Sequence, residues 1–414
     1  MNIAMLISGG VDSSVALRLL HDAGHTVHAF YLKIWLEDEL AFLGECPWED
    51  DLKYARAVCE AVSVPLEVVP FQKEYWDRVV SYTIAEVKAG RTPNPDVLCN
   101  AQIKFGAFYD YLASRQDIHF DKIATGHYAQ TEEVVVSDGI FSSPSRLISA
   151  FDDRKNPLNQ HQSKGFFRTE SISSDKSKPA EKTHPIRPEK KMILKMSPDP
   201  MKDQTYFLSQ LSQEQLAKAC FPIGHLQKGE VRMLAEKYDL PNAKRKDSQG
   251  ICFLGKVAFD QFLEFHLGKK GGDIIDLKTG EVIGTHDGFW FYTIGQRRGI
   301  KLSGGPWFVV KKDTEKNLIF VSNQYRSEEM FRDTFEVGDL HWISGSTPVK
   351  KELSVKLRHG EKMYSCEVSF LGNGSARVKL VDEEDKGISP GQFAVFYDGE
   401  YCLGGGTILE EKEV

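Results

Sequence analysis

The sequence predicts an α/β fold in three parts: a parallel-sheet domain, a mixed middle domain and a C-terminal β-barrel. In the first half, short apolar runs alternate with helical patterns, which is typical of a parallel sheet covered on both faces. Helical signals return after Ser212, and short strands with glycine turns dominate after Gly271. We therefore expect domains at residues 1–211, 212–338 and 339–414.

The first domain is predicted from apolar periodicity and from the residues that interrupt it. Its expected strands are Ile3–Ile7, Thr26–Leu32, Leu66–Pro70 and Lys122–Thr125. Its expected helices follow the Gly9-Gly10 turn, span Asp50–Val62 and Lys73–Lys88, and run from Asn100 to about Ala113. Ligands of such sheets bind beyond the carboxyl ends of the strands, where the Ser8–Ser14 loop would lie.

A long segment interrupts this pattern. Residues 138–190 are rich in Ser, Lys, Pro, Gln and Asn and show no sustained period. We expect a disordered or weakly ordered insertion, because such a composition buries too little apolar surface to offset chain entropy. Its flanks, Glu132–Val136 and Met192–Met196, are predicted to pair as a hairpin. Further on, Ser212 and Gln215 fit a capping box.

Composition and cysteine usage exclude several classes of protein. The 414 residues are 41% hydrophobic and 27% charged, with no apolar run of membrane-spanning length and no signal or transit peptide pattern. The seven cysteines contain no Cys-x-x-Cys pair, which argues against a disulfide scaffold, a zinc ribbon or an iron–sulfur site. We expect a soluble protein in a reducing compartment, with one or two reactive thiols.

Positive charge is local in this chain. With a net charge of −7, a nucleic-acid surface would have to be confined to patches. Lys244-Arg245-Lys246 is one candidate, and Arg297-Arg298 with Lys301 is another; a solvated face remains the alternative for both. If the first patch binds RNA, replacing its three residues should weaken that binding and hardly change ligand binding at the Ser8–Ser14 loop, which is distant in sequence.

The loop Ser8-Gly-Gly-Val-Asp-Ser-Ser14 lies between an apolar strand and an amphipathic helix. Glycines let the backbone approach an anion, and the free N–H groups of a helix N-terminus favour phosphate. No Gly-Lys-Ser/Thr follows, so the loop is not the common nucleotide P-loop. It resembles the PP-loop of the N-type ATP pyrophosphatases, whose domain is adenine nucleotide α-hydrolase-like.

Two cysteines stand in distinctive surroundings. Cys99 lies in Asn94–Asn100, where we expect a proline-held extended loop followed by a helix that begins at Asn100 and stabilises a thiolate. Asp96 would then serve as a base or orient the substrate. Cys252 follows the basic residues of the 244–246 patch, which would lower a thiol pKa. A buried core cysteine remains the alternative for each.

Several strings in one order resemble the tRNA-specific 2-thiouridylase family, and the resemblance covers nearly the whole chain. Besides the loop at 8–14 and Asn94–Asn100, the strings are Thr125–Ala129, Lys202–Leu208, Phe221–His225, Asp247–Gly255, Tyr292–Gly299, Pro306–Val310 and Cys402–Gly406. The resemblance implies 2-thiolation of the wobble uridine of tRNA, with ATP as cofactor together with Mg²⁺. It also implies tRNA and a persulfide donor, a cysteine desulfurase or sulfur relay protein, as partners, and no membrane.

The resemblance assigns roles residue by residue. ATP would be bound by Ser8, Gly9, Gly10, Val11, Asp12, Ser13, Ser14, Leu32 and Gly126. The catalytic residues would be Cys99 as nucleophile, Cys252 as persulfide carrier and Asp96 as acid or base. The tRNA would contact Asn94, Pro95, Asp96, His127, Lys202, Asp203, Gln204, Arg358, His359 and Gln392.

The sequence departs from the family pattern at two places, and two other functions remain as alternatives. The insertion is longer than the connection typical of bacterial members, which favours a eukaryotic organellar lineage, in a chloroplast or mitochondrion; a bacterial protein would be cytoplasmic. Leu32 stands where the family usually has Met. The rivals are another PP-loop enzyme, either a different tRNA thiolase or an amidating synthetase, and a catalytically silent tRNA-binding protein.

Overall fold

The first domain contains the predicted parallel sheet. A computed structural model of the protein describes residues 1–34, 47–136, 189–247, 258–324 and 332–410. Within these ranges five strands pair in parallel in the order β3-β2-β1-β4-β7. They are β1 (Asn2–Leu6), β2 (Thr26–Lys33), β3 (Leu66–Pro70), β4 (Lys122–Ala124) and β7 (Ala219–Cys220).

Helices cover both faces of this sheet. Successive side chains of β1 enter two separate cores: Ala4 packs in the one that contains Phe30, and Met5 in the one that contains Leu17. The helical segments are Val11–Asp22, Pro47–Ala61, Gln72–Tyr75, Trp76–Val80, Ser81–Lys88, Pro95–Leu98, Cys99–Ala107, Phe108–Ser114, Thr205–Leu208, Gln213–Lys218 and Lys228–Lys237. Trp76–Val80 and Cys99–Ala107 have π-helical hydrogen bonding within continuous helices.

The helix that carries Cys99 begins earlier than the sequence analysis predicted. Asn94 is its N-cap and Pro95 its first residue, so the prediction of an extended loop up to Asn100 was wrong. Proline suits this first position because its missing N–H would be unpaired there in any case. Cys99 therefore lies on the helix, one turn after its start.

The middle of the chain forms a mixed sheet. Its strands pair in the order β10-β11-β8-β9, and only the β11–β8 pair is parallel. The helix Phe259–Leu267 and a short 3₁₀ turn at Phe289–Phe291 lie beside it along the chain. The strands are β8 (Gly272–Asp276), β9 (Val282–His286), β10 (Phe308–Asp313) and β11 (Leu318–Ser322).

The C-terminal strands close into a barrel, as predicted. Their order is β12-β15-β14-β13-β16-β17, and β12 also pairs with β17. Barrel closure removes free sheet edges. The strands are β12 (Thr334–Trp342), β13 (Glu352–Lys356), β14 (Tyr364–Gly372), β15 (Ser375–Leu380), β16 (Phe393–Asp398) and β17 (Tyr401–Ile408).

The predicted hairpin is confirmed, and it is attached to the barrel. Strands β5 (Ala129–Val136) and β6 (Glu189–Met196) are antiparallel, with Val136 opposite Glu189. Strand β6 then pairs with β17 through Tyr401 opposite Lys195 and Cys402 opposite Leu194. The capping box of Ser212 and Gln215 is also present.

Three predictions concern residues that the structure does not describe. The insertion at 138–190, apart from its last two residues, lies outside the described ranges, and so does Cys252. Among the helices that are described, none is long and apolar enough to cross a membrane. The domain limits at 211/212 and 338/339 stay a prediction.

Candidate functional site

One cavity gathers most of the predicted site residues. It has a volume of about 550 Å³ and opens beyond the carboxyl ends of β1 and β4. We call its two sides the nucleotide wall, formed by Ser8, Gly10, Val11, Asp12, Ser13, Leu32 and Gly126, and the thiol wall, formed by Asp96, Cys99, Asn100, Phe207 and His359. His127, Lys202 and Gln204 also line the cavity.

The loop at 8–14 is held by its own hydroxyl groups. Ser13 Oγ lies 3.2 Å from both the backbone nitrogen and the Oγ of Ser8, and it donates to the Gly10 carbonyl at 3.1 Å. Ser14 Oγ donates to the same carbonyl at 2.9 Å. The helix Val11–Asp22 starts immediately after this turn, with Gly10 as N-cap. Its first N–H groups thus lie at the cavity, where they favour an anion.

Two glycines are required by close packing around this loop. Gly9 has a φ of +73°, and a Cβ there would collide with the Asp51 carbonyl. A Cβ on Gly126 would lie 2.6 Å from the backbone nitrogen of Ser13. Any side chain at either position would push the loop out of place. The structure therefore accounts for both glycines by sterics alone.

A charge network connects the loop to the tRNA-contact residues that the resemblance predicts. Lys228 Nζ lies 2.7 Å from Asp12 Oδ1 and 2.9 Å from Asp247 Oδ1. Asp247 also accepts from Lys202 Nζ at 2.8 Å and pairs with Arg232. Burial alone would raise the pKa of Asp247, but the hydrogen bonds from Lys202 and Lys228 outweigh it and hold that pKa well below its usual value.

Cys99 faces the cavity from the helix of the thiol wall. It is 1% exposed, and its neighbour Asn100 donates from Nδ2 to the Phe207 carbonyl at 3.2 Å. Lys104 Nζ donates to Asn100 Oδ1 at 2.9 Å, which brings a positive charge to the same helix face. Asp96 lines the cavity one turn before Asn100. A carboxylate, a thiol and an ammonium group thus share this wall.

Two histidines that line the cavity, His127 and His359, have pKa values below the usual range. Burial, with the charge of Lys104 as a smaller cause, holds the pKa of His127 well below its usual value. Burial also lowers the pKa of His359, whose ring stacks on Phe207 with centroids 4.5 Å apart. Because their pKa values are lowered, these rings offer shape and hydrogen bonding to a ligand rather than positive charge.

Three other predicted contact residues, Asp203, Gln392 and Arg358, do not line the cavity and have partners elsewhere. Asp203 is 1% exposed and pairs with Lys356 of β13, which is fully buried, at 3.0 Å. Gln392 donates to the carbonyls of Thr92 at 2.8 Å and Pro93 at 3.3 Å, next to Asn94 and Pro95. Arg358 is half-exposed and pairs with Asp385 at 2.6 Å. Asp203 and Gln392 therefore connect the barrel to the thiol wall.

The sequence analysis missed contacts made by the segment before Asp247. Asn242 Nδ2 and an Arg245 guanidinium nitrogen both donate to the Gly9 carbonyl, at 2.8 and 3.1 Å. The expectation that this patch is remote from the loop was therefore wrong for Arg245, and also for Lys246, which lines the same cavity as the loop. Lys244 and Lys246 are exposed. Only the run of positive charges marked this segment, and nothing in the sequence showed its partner.

The nucleotide wall fits a nucleoside triphosphate. Its glycine turn, helix N-terminus and apolar Leu32 match a polyphosphate and a base. Mg²⁺ usually takes one or two carboxylates together with substrate phosphates, and Asp12 is the carboxylate within the loop. Among the described residues no group of three or more His, Cys, Asp or Glu side chains could hold a metal ion. A metal here would thus need the phosphates as ligands.

Family comparisons cover almost the whole chain. Residues 1–157 and 179–256 match the family described as tRNA methyl transferase HUP domain. Residues 260–323 match the tRNA methyl transferase PRC-barrel domain, and residues 332–408 match the aminomethyltransferase beta-barrel domain. These matches follow the same order as the parallel sheet, the mixed sheet and the barrel.

Three bacterial proteins illustrate the similarity. The tRNA-specific 2-thiouridylase MnmA of Parabacteroides distasonis is 41% identical, with all of both chains covered. The protein of the same name from Porphyromonas gingivalis is 40% identical, again over all of both chains. MnmA 1 of Bacteroides thetaiotaomicron is 41% identical over 99% of each chain. This chain therefore belongs to the tRNA-specific 2-thiouridylase family.

Proposed function

We propose that this protein is a tRNA-uridine 2-sulfurtransferase that uses ATP to replace the C2 oxygen of the wobble uridine with sulfur. One observation carries the proposal: the ATP-type loop, Asp96 and Cys99 line the same cavity. The reaction needs an activated oxygen and a sulfur nucleophile at one carbon atom. The names and the full-length similarity of the relatives support the same activity.

The nucleotide wall activates the oxygen. Bound ATP supplies an AMP group that converts the C2 oxygen, a poor leaving group, into a good one. The N–H groups at the start of the Val11–Asp22 helix bind the pyrophosphate that departs when the uridine oxygen bonds to the α-phosphorus. Asp12 would hold Mg²⁺ there, and Leu32 and Gly126 would border the nucleoside.

The thiol wall performs the sulfur transfer. Asp96 would accept the N3 proton of the uridine when the C2 oxygen bonds to AMP, and return it when the C2=S bond forms. The terminal sulfur of a Cys252 persulfide attacks C2, and the Cys99 thiolate then attacks the inner sulfur and breaks the sulfur–sulfur bond. The transferred sulfur stays on C2 as AMP leaves. A Cys99–Cys252 disulfide remains, and an external dithiol returns its two electrons.

The tRNA would enter across the thiol wall. A base within a stem-loop must turn out of its stack to reach such a cavity. Asn94, Pro95, His127, Lys202, Gln204 and His359 would contact it, while Asp203 and Gln392 would act through the segments that they hold. Arg358 would contact the tRNA backbone from the barrel.

Finer features belong to the same proposal. The persulfide donor would be a cysteine desulfurase or a sulfur relay protein. The domain division at 1–211, 212–338 and 339–414 and an organellar lineage remain predictions, and the relatives named above are bacterial.

The test uses the purified protein with ATP, Mg²⁺, unmodified tRNA, an external dithiol, and a cysteine desulfurase with free cysteine as the source of the persulfide sulfur. We expect 2-thiouridine by nucleoside mass spectrometry, with one AMP and one pyrophosphate per thiolated tRNA. AMP formation with ammonia incorporated instead of sulfur would favour an amidating synthetase. Tight tRNA binding without AMP release would favour a silent binding protein.

A further inference from the structure

The orientation of the peptide between Gly9 and Gly10 is not fixed by side chains of its own two residues. Neither residue has a side chain, and Gly9 has a φ of +73° while Gly10 has a φ of −77°. A peptide between two glycines rotates easily, because no Cβ opposes either orientation. Its carbonyl and its N–H point in opposite directions, since the peptide is planar and trans.

The orientation of this peptide decides which charge the cavity presents. In the structure, the Gly10 N–H donates to Ser8 Oγ at 3.4 Å, and Gly10 lines the cavity whereas Gly9 does not. A half-turn of the peptide would replace this N–H with the Gly9 carbonyl. A carbonyl oxygen carries a negative partial charge and repels phosphate, so the rotated peptide would oppose ATP binding.

Two side chains from a distant segment bond to the Gly9 carbonyl on its far side. Asn242 is 1% exposed, and its Nδ2 also donates to Ser14 Oγ at 2.8 Å. Arg245 is itself held, since it pairs with Asp51 and lies over the Tyr54 ring at 4.9 Å. Both donors are therefore fixed before any nucleotide arrives.

We infer that Asn242 and Arg245 are positioning residues that keep the Gly9–Gly10 peptide in the orientation that binds phosphate. This inference rests on the proposed use of ATP at this loop. Arg245 was predicted to belong to the tRNA patch, and this inference makes it a support of the nucleotide wall instead. Lys244 and Lys246, its exposed neighbours, remain in the tRNA patch.

The test is the Arg245→Ala variant of the full chain, assayed for thiolation and for direct binding of ATP by calorimetry. Losing a charged donor to the carbonyl should raise the KM and the Kd for ATP roughly tenfold. The kcat at saturating ATP and the KM for tRNA should change less than about twofold, since the orientation is restored once ATP is bound. Arg245→Lys should recover part of the ATP affinity.

The chain offers a matched control in Arg18. This residue also pairs with an aspartate, Asp22 at 2.9 Å, and lies over a tyrosine ring, Tyr238 at 4.8 Å. Arg18→Ala removes the same kinds of contact from the same domain and should leave the KM for ATP unchanged. Asn242→Asp provides a second variant, because it replaces the donor facing Gly9 with an acceptor and should weaken ATP binding further.

Two results would overturn the inference. One is an Arg245→Ala protein that melts at a lower temperature with an unchanged Kd for ATP, which would make the residue merely structural. The other is a raised KM for tRNA alone, which would return Arg245 to the RNA surface. A wild-type protein that binds ATP and forms no thiouridine would contradict the proposed function and leave the binding test valid.

Discussion

The two walls of the cavity are built in different ways. The nucleotide wall comes mainly from the loop at residues 8–14, whose hydroxyl groups and helix N-terminus form the site locally. The thiol wall combines a helix of the first domain with supports from the barrel, through Asp203–Lys356 and Gln392. A local motif is thus readable in the sequence, whereas an assembled wall depends on contacts between distant segments.

The sharpest test of the thiol wall is Cys99→Ser. We expect no detectable 2-thiouridine, because an alkoxide-forming hydroxyl cannot exchange with a persulfide at neutral pH. ATP affinity should be kept, since the nucleotide wall does not use this side chain. Cys252→Ser should behave in the same way.

Cys59→Ala is the matched control for the thiol. Cys59 is also buried, in the core on the other face of the sheet, and burial raises the pKa of its thiol to about 12. Full activity is expected after a modest packing cost. Normal thiolation by Cys99→Ser would remove the thiol wall from the mechanism.

The buried ion pair between the barrel and the first domain should matter most for stability. Lys356→Met leaves the Asp203 carboxylate buried without its charged partner, and we expect a decrease of about 3–5 kcal/mol in the free energy of unfolding, measured by urea denaturation. The exposed pair of Lys73 and Asp77 provides the control, since Lys73→Met should change the free energy of unfolding far less than Lys356→Met does. Equal decreases in the two variants would show that burial does not distinguish them.

Gln392→Ala should separate the two walls kinetically. Its amide holds the carbonyls of Thr92 and Pro93, which lead into the helix of Cys99. A hydrogen bond of this kind contributes about 1 kcal/mol. Removing these bonds should therefore raise the KM for tRNA several-fold. The KM for ATP should not change. An equal rise in both KM values would mean that the barrel supports the whole cavity.

The exposed pair Lys244 and Lys246 should affect tRNA binding through salt. Replacing both by Ala should flatten the slope of log affinity against log salt by about 0.7–0.9 for each phosphate that is no longer neutralised. Filter binding across a salt series measures this slope. An unchanged slope would identify these residues as a solvated face.

The smallest effect is expected from deleting residues 140–188. Val136 and Glu189 are opposite each other in the hairpin, and Ser137-Asp138-Gly139 would remain to join the strands. Three-residue loops with glycine suit such hairpins. The melting temperature and thiolation in vitro should be nearly unchanged, whereas a large decrease in stability would show that this segment packs on the rest of the protein.

Sequence reasoning succeeded where the signal was local. The strands, the capping box at Ser212 and the hairpin were predictable from periodicity and caps. The start of the Cys99 helix was misplaced although its signal was present, since Asn94 followed by Pro95 is a common helix opening. The prediction treated Pro95 as part of an extended loop, whereas it is the first residue of the helix.

Other contacts left no trace in the sequence. Lys228 and Asp12 are 216 residues apart, and Arg245 and Gly9 are 236 apart. Lys228 and Arg245 are ordinary surface-type residues when each is seen alone. Their pairing depends on how distant segments pack in three dimensions. The periodicity of the sequence carries no information about that packing.

The attachment of strand β6 to β17 has a consequence for how the chain is made. Residues 189–196 leave the ribosome long before residues 401–402, their partners in the sheet. The edge of β6 that pairs with β17 therefore stays unpaired until synthesis is almost finished. Exposed strand edges invite pairing with other chains. Nascent molecules of this protein thus pass through an aggregation-prone stage, which ends only when the last strand emerges and covers that edge.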